Sequence, residues 1–293
     1  MPVLLFVMIS GIWGSSFILM KKASFAYGPI TIGGMRLLCG LLVLGAIQLL
    51  RGSRWRPRGA DWGYIAAIVS LSYAWPYCLQ PYLVAHYGSG FIGMMVAFVP
   101  LLTILAQIPL LRLRPQAMHI IGVLGGLACL YLVMEDGHER AVPISALLLA
   151  VTVPAGYAIG NTLIKRRFTE APTMALTTWC LLFATLAVMP VALFQEGMPS
   201  GDHIVSASAA IVVLGVLGTG AAIAGLYHLI RIRGPLWAGM VTYVIPLGAI
   251  GWGWVDSEQV TLLQCLAMAG VLAMVALVQF GQQPNTAHTG SPD

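Results

Sequence analysis

Hydrophobic residues form long runs along the chain, separated by short segments that carry the charged residues. The runs are residues 3–20, 29–50, 62–85, 87–111, 115–134, 141–164, 171–195, 203–230, 234–255 and 259–280. Apart from Arg36 in the second run, they contain no Asp, Glu, Lys or Arg. About 20 apolar residues cross a bilayer as a helix, whereas a membrane strand needs about 10 residues of alternating polarity. The pattern predicts an all-α polytopic membrane protein with ten transmembrane helices.

Composition supports a bilayer as the solvent. Of the 293 residues, 59% are hydrophobic and 9% are charged, whereas charged residues make up about a quarter of a soluble domain. The net charge of +5 could suggest a nucleic-acid partner, but the basic residues lie in short clusters between apolar runs. We therefore expect a lipid bilayer around the chain and no nucleic acid.

The distribution of Lys and Arg predicts the orientation. If the N-terminus is cytoplasmic, eleven of the fifteen basic residues fall in cytoplasmic loops, and seven of the ten acidic residues fall in outer loops. The sequence therefore predicts a multi-pass protein of the bacterial inner membrane with both termini in the cytoplasm. The polar stretch 282–293 is expected to be a disordered cytoplasmic tail.

The two halves of the chain resemble each other. Gly11–Lys22 aligns without a gap over Ala155–Arg166, and Gly88–Pro100 aligns over Gly234–Pro246. With five helices in each half, the second copy must be inverted relative to the first. Inverted repeats of this kind are typical of secondary transporters. We predict one five-helix repeat in residues 1–140 and a second, inverted repeat in residues 141–281.

Catalytic motifs are missing from the apolar runs. The sequence contains no His-Glu-x-x-His motif, no phosphate-binding Gly-x-x-x-x-Gly-Lys loop and no carboxylate pair within a run. We therefore expect no enzyme activity, no cofactor and no metal site. No carboxylate lies within a run, which also argues against proton coupling through a buried acid.

Arg36 is the one charge within a predicted span, about 10 Å from the outer end of its helix. A buried arginine costs several kcal/mol unless it faces water or a partner. Its guanidinium could hold a substrate carboxylate through two hydrogen bonds. The alternative is that Arg36 extends to the interface or pairs with carbonyls at a helix end.

Polar and aromatic residues share helical faces in several spans. One face carries Trp13, Ser16, Phe17 and Met20, a second carries Tyr73, Tyr77 and Gln80, and a third carries Pro154, Tyr157 and Asn161. Tyr243 stands near Pro246 and belongs to the same class. Such residues either line a cavity or bond neighbouring helices together. From these sets we predict a substrate site formed by Arg36, Trp13, Ser16, Tyr73, Tyr77, Tyr157, Asn161 and Tyr243.

Prolines interrupt two spans at equivalent places. Pro100 and Pro246 occupy matching positions of the two repeats, in the fourth and ninth predicted helices. Because proline removes a backbone donor, we predict two bent helices that face a common cavity. The alternative is that the bends serve only the packing of the helices.

Several of these segments resemble EamA-type transporters of the drug/metabolite transporter superfamily. The resemblance rests on Trp13-Gly-Ser-Ser-Phe17, Arg36, Leu214-Gly-x-x-Gly-Thr219, the segment around Pro246, and Glu258-x-x-Thr261 followed by Gly270. It implies a ten-helix fold whose central cavity opens alternately to the two membrane faces. Many relatives export amino acids and similar small metabolites.

These observations lead to one functional expectation with alternatives. We expect an exporter of small metabolites, with amino acids or related zwitterions as substrates, that works by alternating access. A duplicated chain supplies both halves, so a monomer is expected to suffice. An uptake permease or a multidrug exporter on the same fold stays open, and an integral membrane enzyme is a more distant alternative.

Overall fold

The computed structural model describes residues 2–52, 55–112, 116–139, 142–197, 199, 202–234 and 238–280, and the regular elements in these ranges are helical. The predicted tail, residues 282–293, lies outside the described residues. The helices are α1 (Pro2–Ala23), α2 (Pro29–Arg51), α3 (Asp61–Ile68, Val69–Ala74 and Trp75–Tyr87), α4 (Ser89–Met94, Met95–Phe98 and Val99–Leu111), α5 (Ala117–Glu139), α6 (Ile144–Arg167), α7 (Thr173–Gln195), α8 (Ile204–Gly215, Val216–Ala221 and Ala222–Arg233), α9 (Val241–Val255) and α10 (Leu262–Phe280).

Many of these helices match the dimensions of a bilayer. Within the described ranges, six are long and apolar enough to cross it: Pro2–Ala23, Pro29–Arg51, Ser89–Leu111, Ile144–Arg167, Thr173–Gln195 and Ile204–Arg233. Shorter apolar helices cover Ala117–Cys129, Val241–Val255 and Leu262–Val278. The prediction of an all-α polytopic membrane protein is confirmed.

Two helices contain a π-helical segment in their middle. In α3 the segment is Val69–Ala74, and in α8 it is Val216–Ala221. Pro76 follows the first segment and has no N–H to donate to the carbonyl four residues earlier, so the regular bonding pattern is interrupted there. The second segment contains Gly218 and Gly220 instead of a proline. The two π segments lie at corresponding places of the two halves but differ in sequence.

The α3–α4 and α8–α9 connections also share a backbone conformation. Gly88 has φ 93° and ψ 151°, and Gly234 has φ 84° and ψ 164°. Both angles lie in a region that side chains disfavour, so glycine is required at the two turns. The helix that follows Gly88 begins at Ser89, at the centre of the contacts described below.

Helices pack across the two halves of the chain. The closest packing joins α2 to α7, α5 to α10, α1 to α9 and α4 to α6. Small residues allow this close approach. A Cβ on Gly14 would lie 3.0 Å from the Cα of Gly248, and a Cβ on Gly93 would lie 2.2 Å from the Cβ of Ala249.

Candidate functional site

A cavity of about 300 Å³ lies between α1, α2, α3, α4, α6, α8 and α9. Its walls are mainly aromatic and aliphatic, with a few polar side chains, as is usual for a small-molecule site. The lining residues are Trp13, Ser16, Phe17, Met20, Arg36, Tyr77, Gln80, Val96, Val99, Tyr157, Asn161, Gly218, Ile223, Leu226, Thr242 and Ile245.

Most lining residues come in pairs from corresponding positions of the two halves. The correspondence follows the aligned segments, or the count back from Gly88 and from Gly234. The pairs are Trp13 with Tyr157, Phe17 with Asn161, Tyr77 with Ile223, Gln80 with Leu226, Val96 with Thr242 and Val99 with Ile245. The polarity differs within some pairs, since the polar Tyr77 and Gln80 of the first half correspond to the aliphatic Ile223 and Leu226 of the second. The wall is therefore paired in position and asymmetric in polarity.

Arg36 is buried at this cavity, with 7% of its surface exposed. Its Nε donates a hydrogen bond to Thr219 Oγ1 at 3.1 Å, and its Nη1 lies 3.8 Å from Met20 Sδ. The guanidinium carbon lies 4.5 Å from the centre of the Tyr77 ring, a cation–π distance. Arg36 therefore does not extend to the interface, and its side chain points to the cavity wall.

Trp13 is held by the π-helical segment of α8. Its Nε1 donates a hydrogen bond of 2.7 Å to the carbonyl of Gly218. A π turn displaces backbone carbonyls from their regular partners, and the Gly218 carbonyl accepts this bond from another helix. Across the cavity, Tyr157 donates to Gln80 Oε1 at 3.5 Å. These bonds fix the orientation of the two paired aromatic residues.

The structure brings six of the eight predicted site residues to the cavity. They are Trp13, Ser16, Arg36, Tyr77, Tyr157 and Asn161. Tyr73 does not line it, although its ring lies 6.0 Å from the Tyr77 ring. Tyr243 packs against the core, and its hydroxyl has no hydrogen-bond partner among the described residues.

The two predicted prolines stand next to the cavity. Pro100 lies in the first turn of Val99–Leu111, directly after a 3₁₀ segment, and Pro246 lies inside α9. The residues four and one positions before each proline line the cavity. They are Val96 and Val99 before Pro100, and Thr242 and Ile245 before Pro246. Whether the prolines bend their helices for function stays a prediction.

A charged network lies where α1 ends and α4 begins, next to the cavity residue Met20. Glu258 accepts hydrogen bonds from the backbone N–H of Ser89 at 2.6 Å and of Gly90 at 2.8 Å. It also accepts from Ser89 Oγ and from Lys21 Nζ, both at 3.0 Å. Lys21 forms a second ion pair of 2.5 Å with Asp256. We call these five residues the Glu258 network. It joins α1, α4 and the α9–α10 connection at one end of the cavity.

The network favours the ionised form of Glu258. Burial alone would raise the pKa of this carboxyl group, but the hydrogen bonds from Lys21, Ser89 and Gly90 outweigh burial and lower the pKa. The carboxylate also lies at the N-terminus of a helix, where the helix dipole favours negative charge. Glu258 is therefore a charged link between helices at neutral pH.

Two other contacts join helix ends. Glu196, after α7, accepts hydrogen bonds from the backbone N–H groups of Ile30 at 2.9 Å and Thr31 at 2.7 Å, at the start of α2. Arg167, at the end of α6, donates to Asp61 at 2.8 Å, at the start of α3. The side chain of Arg167 is 46% exposed, so the ion pair of Arg167 with Asp61 contributes little stability.

Sequence reasoning missed part of this arrangement. In the sequence, Thr219 stands out only as the end of a glycine motif, Glu258 as the start of the Glu258-x-x-Thr261 segment, and Lys21 as a charge in a predicted outer loop. Their spacing along the chain carries no signal that they meet, because the contacts span 183 and 237 residues. In the part of the chain that the structure describes, no three His, Cys, Asp or Glu side chains are placed to hold a metal ion.

Comparison with known families then decides the class. The sequence profile of the EamA-like transporter family matches residues 1–135 and again residues 144–280. The chain belongs to the EamA-like transporter family. The two matches together cover nearly all of the chain, so the EamA-like assignment includes every helix that lines the cavity.

Curated relatives of this EamA-like chain are described as transporters. It is 25% identical over 275 residues to the uncharacterized inner membrane transporter YedA of Escherichia coli strain K12, covering 92% of this chain and 88% of YedA. It is 22% identical over 264 residues to the uncharacterized transporter YoaV of Bacillus subtilis strain 168, covering 87% of this chain and 89% of YoaV.

A solved crystal structure shares the fold. It matches with a TM-score of 0.66 and 20% sequence identity, over 97% of this chain and 98% of the other. The family, the curated relatives and the apolar helices together identify a multi-pass transporter of the inner membrane.

Proposed function

We propose that this EamA-like chain exports small metabolites that carry a carboxylate group. The observation that carries the proposal is Arg36, a buried cation on the wall of a cavity of about 300 Å³. A guanidinium can bind a carboxylate through two parallel hydrogen bonds. Amino acids and related zwitterions meet this requirement through their carboxylate, as do acids without an ammonium group.

The proposed mechanism is alternating access between two inverted five-helix repeats, residues 1–140 and 141–281. Three observations support it: the two family matches, the π-helical segments at corresponding places of α3 and α8, and the paired cavity wall. In such a fold the two repeats rock around a fixed central site. The ten helices would then enclose one site for one substrate molecule, and a monomer would be sufficient.

In this proposal both termini are cytoplasmic, as the distribution of Lys and Arg predicts. The Glu258 network then lies at the outer end of the cavity. There it links α1 to α4 and to the α9–α10 connection, so it would hold the outer side closed. Opening toward the outside requires these contacts to separate.

The test compares metabolites released by cells that express the wild type, Arg36→Ala or Arg231→Ala. Arg231 lies on an exposed helix end outside the cavity, so Arg231→Ala removes the same charge from the protein as Arg36→Ala. We expect at least one carboxylate to accumulate outside with the wild type and with Arg231→Ala, but not with Arg36→Ala.

Equal release from all three strains at equal membrane levels would contradict export through an Arg36 site. Uptake and drug-resistance assays on the same strains then examine the other two transport functions. Loss of resistance on deletion, with unchanged metabolite release, would favour a multidrug exporter.

A further inference from the structure

The cavity wall has an unbalanced charge. Among its described lining residues, Arg36 is the one that carries a formal charge, and no Asp, Glu, Lys or His lines it. The groups around Arg36 are neutral: a hydroxyl of Thr219, the sulfur of Met20 and the ring of Tyr77. In the described part of the chain, no carboxylate forms an ion pair with Arg36.

An uncompensated buried cation favours a ligand with one negative charge. Arginine does not lose its proton in proteins, so the guanidinium keeps its charge at the cavity. A buried charge without a partner is costly, and pairing with an anion removes much of that cost. The bound anion would supply the missing carboxylate.

An ammonium group in the same cavity would meet only neutral acceptors among the described lining residues. The Gly218 carbonyl and Gln80 Oε1 each accept one hydrogen bond, from Trp13 and Tyr157, and the hydroxyls of Ser16 and Thr242 donate to their own helices. These oxygens and the amide oxygen of Asn161 can accept a further bond, but none of them supplies a negative charge. A desolvated ammonium would therefore lose its hydration without gaining a counter-charge.

The size of the cavity limits the ligand. At about 30 Å³ for each water molecule in the liquid, 300 Å³ corresponds to about ten water-sized groups. The aromatic and aliphatic walls favour an apolar body behind the carboxylate. A monocarboxylate of about ten non-hydrogen atoms fits both limits.

We infer that the cavity selects monocarboxylate anions that lack an ammonium group, in preference to the corresponding amino acids. This inference rests on the proposed function, because it assumes that Arg36 binds the substrate carboxylate. It narrows the substrate class from all carboxylates to monocarboxylates without an ammonium group.

The experiment measures binding to the purified full-length protein in detergent at pH 7.5, by calorimetry or thermal shift. The probes are matched pairs that differ in the ammonium group alone: propionate and alanine, 4-methylvalerate and leucine, 3-phenylpropionate and phenylalanine. We expect at least one acid to bind about tenfold or more tightly than its amino acid, from the usual penalty for an unpaired buried polar group. Arg36→Gln should abolish that binding.

A charge introduced into the cavity tests the reason for the preference. Asn161→Asp adds a carboxylate to the wall and should weaken the binding of the acid, so that the preference for the acid over the amino acid falls. The wild-type Asn161 is the neutral residue of nearly the same size, and Ser206→Asp, which adds a carboxylate at an exposed position outside the cavity, serves as the control. It should leave that preference unchanged.

The outcomes separate this inference from the proposed function. Arg36-dependent binding of amino acids that equals or exceeds that of the acids overturns the anion preference alone. Failure of all acids and all amino acids to bind the wild type overturns both. A preference for the acid that is unchanged in Asn161→Asp also overturns the inference, because the charge of the cavity would then not determine selectivity.

Discussion

The Glu258 network predicts that one substitution will open the cavity at that end. In Glu258→Gln the side chain keeps its size but loses its charge, and its amide nitrogen faces backbone N–H donors. The wild-type carboxylate accepts four hydrogen bonds, two of them from the backbone at the start of α4. Hydrogen bonds to a charged group contribute about 1.5–3 kcal/mol each, against about 1 kcal/mol for neutral groups.

The glutamine can keep some of these bonds, so we expect a loss of about 2–3 kcal/mol from the closed arrangement. The remaining pair of Lys21 with Asp256 is partly exposed and adds little. A change of this size raises the open population about 30- to 150-fold if the closed state dominates.

The assay follows a cysteine placed in the cavity at Ser16, in a background without the native cysteines. A membrane-impermeant maleimide is added to the outer face of spheroplasts, and the labelling rate is compared between Glu258 and Glu258→Gln. Glu196→Gln is the matched control, since Glu196 also accepts from two backbone N–H groups at a helix start but joins α2 to α7.

We expect faster labelling in Glu258→Gln and little change in Glu196→Gln. Unchanged labelling in Glu258→Gln, with normal folding, would refute the interpretation of the network as a closure. An equal increase in both variants would show a general loosening of the helices instead.

Three further predictions concern the effect of pH, the packing of one glycine and one hydrogen bond. Because the folded pKa of Glu258 is lowered, its stabilisation is complete above the ordinary value of 4.5 and is lost as the pH falls through the lowered pKa. Maleimide reacts with the thiolate, so the rate at Ser16 is divided by the rate in Glu258→Gln at the same pH; this ratio should be constant from pH 8 to pH 6 and rise only in acid. Gly93→Val should lower Tm by about 4 °C or more, because its Cβ would lie 2.2 Å from an atom of α9, whereas Gly11→Val, with open space around it, should not. Trp13→Phe leaves a buried carbonyl of α8 without its donor and should cost about 1–3 kcal/mol, seen as a lower Tm in a thermal-shift assay, and an unchanged Tm would contradict the role of that bond.

The helices could be predicted because burial in a bilayer requires long apolar segments. The run at 29–50 became Pro29–Arg51, and the run at 171–195 became Thr173–Gln195. The face of α1 was also predictable, since regular helical spacing brings Trp13, Ser16 and Met20 to one side. Local periodicity is sufficient wherever the helix stays regular.

The rest depends on irregular backbone and on contacts distant in sequence. Tyr73 shares a predicted face with Tyr77, but it lies within the π-helical segment, where the wider turn changes the direction of its side chain. The partners of Arg36 and Glu258 come from the other half of the chain. One sequence shows which charges exist, but not which of them meet after folding.

The unpaired charge of Arg36 has a consequence for the energy source of transport. With an anion bound, the cavity is electrically neutral, and the empty cavity carries one positive charge. If the chain exports a monocarboxylate as proposed, one complete cycle therefore moves one negative charge out of a cell whose interior is negative. The membrane potential supplies about 2.3 kcal/mol per 100 mV for that charge, which corresponds to an accumulation of about 50-fold outside. Such a carrier needs no intramembrane carboxylate for a coupling proton, whereas a zwitterion would gain nothing from the voltage.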